Sequence, residues 1–103
     1  MPSFSNGQRR QRLVISQVIA KEIGQLQYQA SLEGRGEQFL QALRTIVDDL
    51  VHRPRDLGEA LYELNVLRLQ VRSVAVRPVA LHFAVHMDRP VVFIKSVNLL
   101  PEK

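Results

Sequence analysis

Residues 79–100 read VALHFAVHMDRPVVFIKSVNLL, and the reading of this stretch decides the fold. Its first run alternates, with Val79, Leu81, Phe83 and Val85 on one face and Ala80, His82, Ala84 and His86 on the other. Its second run, Val91 to Val97, is apolar on both faces until Lys95 and Ser96. Between them lies the polar link His86-Met87-Asp88-Arg89. Period-two alternation on either side of a short polar link is the pattern of a β-hairpin. Pro90 has no N–H to give a ladder and so belongs at the edge of the second strand. No other stretch of the chain is as long and as apolar, so the rest is expected to fold onto this hairpin.

Upstream of the hairpin, Arg77-Pro78 reads as a turn and Arg68 to Val76 as a further strand, with Leu69 and Val71 opposite Gln70 and Arg72. Leu61 to Leu64 (LYEL) is a short strand, set off by the loop Arg55-Asp56-Leu57-Gly58. Before that loop the period changes from 2 to 3.6. Phe39, Leu40, Leu43, Ile46, Val47 and Leu50 form the apolar stripe of a helix over 37–52, stopped by Pro54. Asp48 and Asp49 oppose its dipole at the C-terminal end, and Arg53 stands near enough to offset them. A second stripe, Ile19, Ile23, Leu26 and Ala30, predicts a helix over 17–32 with Ser16 as its N-cap. Gly34 then supplies a left-handed cap, and the short link makes the two helices an antiparallel hairpin. RLVIS, 12–16, reads as a short strand. Residues 1–11, with Pro2, Gly7 and three arginines nearby, read as a disordered basic arm, and 12–100 as a single domain.

The resulting order is a strand, two helices and three or four antiparallel strands, β-α-α-β-β-β. That is an α+β two-layer domain with the helical hairpin packed on one face of a twisted antiparallel sheet. Phe39, Leu43, Ile46 and Leu50 are expected to meet Leu81, Phe83 and Val85 in one core. The sheet's other face has no helices left to cover it. Arg72, His82, His86 and Lys95 or Ser96 are expected there.

Composition narrows the function. The chain has 103 residues, 46% of them apolar, which suits one domain with one core. With no cysteine it has no disulfide scaffold, thiol nucleophile or cysteine zinc site. No apolar run is long enough for a membrane helix, and the N-terminus has no signal-peptide pattern, so no membrane and a cytoplasmic location are expected. The net charge of +4 is compatible with nucleic acid or an acidic protein partner. There is no glycine-rich phosphate loop, G-x-S-x-G or H-E-x-x-H, and neither cofactor nor metal is expected.

Particular residues carry the candidate chemistry. His82 and His86 point the same way from one strand, and an imidazole is suited to acid–base work near neutral pH. The plain alternative is two polar groups on a solvated face. Arg68, Arg72, Arg77 and Lys95 are candidates to bind phosphate, or else form a solvated edge that discourages strand-to-strand aggregation. Tyr62 reads as core beside Leu61 and Leu64 rather than as a stacking platform.

The arrangement resembles the RelE/ParE superfamily of bacterial type II toxin–antitoxin toxins. The resemblance spans about Arg12 to Leu100. It rests on the two helical stripes, Gly36 and Phe39, Leu50-Val51-His52-Arg53-Pro54, Gly58, LYEL and the closing VVFIKSV. It implies a cytoplasmic toxin-module protein with an antitoxin partner and with either the ribosome and its mRNA or DNA gyrase as target. Nuclease members of the family carry an arginine where this chain has Ala80-Leu81-His82-Phe83, and an arginine, histidine or tyrosine cluster where it has Asn98-Leu99-Leu100-Pro101. The resemblance therefore implies a toxin that acts by binding a macromolecule. An active ribonuclease and an inert interaction module are the alternatives.

Overall fold

The computed structural model describes residues 10–102. The chain runs β1 (Arg12–Val14), α1 (Gln17–Leu32), α2 (Gly36–His52), a 3-10 turn (Pro54–Asp56), β2 (Glu59–Leu64), β3 (Leu69–Val76), β4 (Val79–His86) and β5 (Val91–Leu99). It is an α+β two-layer fold: both helices lie on one face of a five-stranded sheet of order β1-β5-β4-β3-β2. Strands β2 to β5 form an antiparallel meander, as the turn signals require. The short β1 pairs with β5 in parallel, so the sheet is mixed. Parallel neighbours need a long connection, and everything between β1 and β5 supplies it.

The helices follow their local chemistry. Ser16 caps α1 by accepting from the Ile19 N–H at 3.1 Å. Gly34, at φ 77°, turns the chain out of α1 in the left-handed conformation. Near the end of α2 Arg53 pairs with Asp49 at 3.5 Å, the offset expected from their spacing. Pro54 then opens the 3-10 turn, where its missing N–H costs no helical bond.

The core lies between the helices and the sheet. Phe39, Ile46 and Leu50 are fully buried against Leu81, Phe83 and Val85, with Leu43 packed on their margin. Val79, Val92, Ile94 and Val97 extend the same surface along β4 and β5.

Strand β3 departs from the expected facing. The registers Arg72↔Phe83 and Val74↔Leu81 place Arg72 on the helix side, while Ser73↔His82 and Val71↔Ala84 place Val71 on the open side. Arg72 is thus not part of the open face. It is 9% exposed and donates from Nε to the Leu57 carbonyl at 2.8 Å and from Nη2 to the Gly58 carbonyl at 3.3 Å. The loop after the 3-10 turn therefore covers this part of the sheet, and its carbonyls satisfy a guanidinium where a helix would have required an apolar side chain. The approach is tight: Gly58 sits at φ 68°, and a Cβ there would lie 1.9 Å from the Ser73 carbonyl oxygen.

The expected basic arm over 1–11 lies largely outside the described residues. Within them, the Gln11 N–H donates to the Val51 carbonyl at 2.7 Å, which ties the entry to β1 to the end of α2. Among the described residues no helix is long and apolar enough to cross a membrane.

Candidate functional site

Cross-strand registers order the open face into rows, because residues opposite one another share a face. One row is apolar and crosses the whole sheet: Val14, Phe93, Ala84, Val71 and Tyr62. Val71 and Ala84 are buried although they stand outside the helix-side core. The next row is polar: Ser96, His82, Ser73 and Glu59. A bulge between His82 and Phe83 gives β5 an extra residue, Lys95. Without this bulge, strict alternation would put Lys95 and Ser96 on opposite faces. Lys95 reaches across the sheet until its Nζ stands 6.0 Å from the centre of the Tyr62 ring, a cation–π approach. Tyr62 is half exposed, so it belongs to this surface and not to the core as its neighbours suggested.

His82 Nδ1 lies 3.1 Å from Ser96 Oγ. Among the described residues Ser96 is the side chain that His82 hydrogen-bonds, and no carboxylate orients the imidazole from behind. A hydroxyl–imidazole pair can exchange a proton, but a nucleophilic site also needs an orienting group and donors for the developing charge. A shallow groove of about 450 Å³ runs past His82, Ser73 and Glu59.

The far end of the face has a different character. A cleft of about 700 Å³ opens between β1, β5 and the β4–β5 turn, lined by Arg12, His86, Asp88, Arg89, Pro90, Val91 and Phe93. The turn is heavily tied. His86 Nδ1 accepts from the backbone N–H groups of both Asp88 and Arg89 at 3.1 Å. Arg55 Nη2 donates to the carbonyls of His86 and Met87, the Met87 N–H donates to Arg68 O, and the Arg12 N–H donates to Pro90 O. Arg68 grips both oxygens of Asp88 at 2.8 and 2.9 Å. That fork holds the Asp88 carboxyl below the usual carboxylate range and raises the Arg68 guanidinium above its ordinary value.

The sequence candidates therefore separate. His82 and His86 share the open face as expected, but one belongs to the polar row and the other to the tied turn. Lys95 is on the face and exposed. Arg68 does not share a strand face with Arg72: it precedes β3 in the left-handed conformation, at φ 58°, and its charge is matched by Asp88. Arg77 donates to the Pro101 carbonyl at 3.1 Å, near the exit of β5. The cations that line the cleft, Arg12 and Arg89, and its aromatic floor, Phe93, escaped sequence reasoning. Only the parallel β1–β5 pairing brings Arg12 beside the hairpin, and no local signal announces a non-local pairing. Among the described residues no group of histidines and carboxylates could hold a metal ion. Comparison with family models, curated proteins and solved structures returned no match.

Proposed function

We propose that this chain is a toxin-module protein of the RelE/ParE kind that acts by binding a macromolecular target, with an antitoxin segment as the natural cover of its open sheet face. The observation that supports this reading is the bare face itself. An apolar row runs across it, in which Phe93 and Tyr62 reach the surface and Ala84 and Val71 are buried between them, with Lys95 beside the row and Arg12 at the β1 end. An apolar strip edged by cations suits a partner that is apolar in the middle and acidic at its margin.

The test begins with the neighbouring reading frames: a small acidic or DNA-binding protein encoded there is the antitoxin candidate to be assayed. Lys95→Glu with Tyr62→Ala should weaken its binding by roughly tenfold or more, the loss of one good anchor. The charge part of that loss should be larger at low salt, because exposed charges are screened beyond about 8 Å at physiological ionic strength. Undiminished binding by the double variant would rule this surface out.

The hydrogen-bonded pair His82 and Ser96 favours one second reading, a ribonuclease whose base has moved to β4. The assay is cleavage of mRNA on translating ribosomes by wild type and by His82→Ala/His86→Ala. Growth arrest on expression without cleavage supports the binding toxin. Robust cleavage that the double variant loses would replace it with an active nuclease, and neither effect would leave an inert interaction module.

A further inference from the structure

We infer that the cleft at the β1 end of the open face is a binding site for a mononucleotide, a phosphate monoester carried on an aromatic ring. This goes beyond the reading above and does not depend on it. The cleft holds about 700 Å³, within the range of small-molecule sites, and opens to solvent between β1, β5 and the β4–β5 turn.

Its chemistry has two halves. The apolar half is Phe93, Val91 and Pro90, with the Phe93 ring as the flat surface on which a base stacks. The cationic half is Arg12 and Arg89. Asp88 also lines the cleft, but both its oxygens are engaged by Arg68, so that pair is neutral and leaves two arginines with no carboxylate partner among the described residues. Two guanidiniums match the charge of a phosphate monoester, whereas a diester in a strand carries one negative charge. Each guanidinium can present a pair of N–H donors to phosphate oxygens.

His86 adds a neutral donor. Its Nδ1 accepts two backbone N–H bonds and so carries no proton, which puts the proton on Nε2. A chain reversal needs none of this apparatus; two residues suffice to turn a hairpin. Here the turn is instead fixed by Arg55, by the Arg68–Asp88 fork and by His86. A turn held this way keeps Arg89 and His86 in place before a ligand arrives, which reduces the ordering that binding requires.

The experiment is a titration of the full chain, followed by backbone amide resonances, with adenosine 5′-monophosphate, adenosine, inorganic phosphate and a short single-stranded oligonucleotide lacking a terminal phosphate. The monophosphate should shift Arg12, His86, Arg89 and Phe93 at millimolar concentration or below and bind at least tenfold more tightly than adenosine or phosphate alone. Arg12→Gln/Arg89→Gln should weaken it at least tenfold. Phe93→Leu should remove the advantage over inorganic phosphate, and Lys21→Gln, at an exposed position of α1, should change nothing. If the double arginine variant loses its dispersed spectrum, Arg89→Gln alone and the salt dependence of wild-type binding give the same answer. No shift with the monophosphate, phosphate alone binding as well, or the oligonucleotide binding as well through the same residues would each overturn the inference.

Discussion

On β4, Val79, Leu81, Phe83 and Val85 alternate with Ala80, His82, Ala84 and His86, and the two sets live by different rules. The first set is bulky, buried and pressed against α2 and its neighbours, so its value lies in the volume it fills. The second set is small or polar, so the surface above it stays low. Longer side chains from neighbouring strands, Phe93 and Lys95 from β5 and Tyr62 from β2, have room to lie across it. A face made for packing is sensitive to lost volume. A face made for contact is sensitive to lost arrangement.

Two phenylalanines test that contrast most strongly. Phe83→Ala should cost roughly 3–5 kcal/mol in denaturant melts, because the side chain is 0% exposed and its removal leaves a cavity. Phe93→Ala, on the half-buried open side, should cost less than half as much. Equal losses would mean that the open face is a second core. A phenylalanine 83 loss under about 1 kcal/mol would mean that the strand faces are exchanged, since a one-residue slip exposes the whole set.

A smaller effect is expected where the loop substitutes for a helix over β3. Gly58→Ala combines a left-handed backbone with a Cβ 1.9 Å from the Ser73 carbonyl oxygen, so the loop must shift and Arg72 must lose its carbonyl partners. A destabilisation of about 2–4 kcal/mol follows from backbone strain and overpacking. A variant as stable as wild type would show that the loop is free to lift from the sheet and that Arg72 is not held by it.

The smallest effect belongs to the turn that closes the cleft. Asp88 has its pKa lowered by the hydrogen bonds from Arg68, so its contribution to stability is present above its ordinary value of 3.8 and is lost as the pH falls through the lowered one. Wild type should exceed Asp88→Asn in stability at pH 7, and the difference should vanish in acid. Both partners are exposed, so the gap will be slight. A gap that persists in strong acid would mean that the carboxylate charge is not what holds the turn.

Much of the fold is legible in the residues because periodicity acts within one element. The stripes over α1 and α2, the cap at Ser16, the stop at Pro54 and the alternation along β4 are each decided by neighbours in sequence. The candidate site was only half legible. Alternation and the shortage of helices put His82, His86 and Lys95 on the open face, whereas for Arg72 alternation misleads, because it assigns the apolar Leu69 and Val71 to the inward side. They turn outward because Val71 joins the apolar row and the loop carbonyls at Leu57 and Gly58 receive the guanidinium behind it.

By itself, then, the sequence determined which residues share a face within each helix or strand, because side-chain direction follows from the local repeat of the backbone. Only the tertiary structure decided which faces meet. The parallel entry of β1 beside β5, the bulge that brings Lys95 out beside Ser96, and the fork that removes Arg68 from the free charges while leaving Arg12 and Arg89 all depend on register between distant segments. Register is set by the summed packing and hydrogen bonding of the whole sheet, which no single stretch of chain contains.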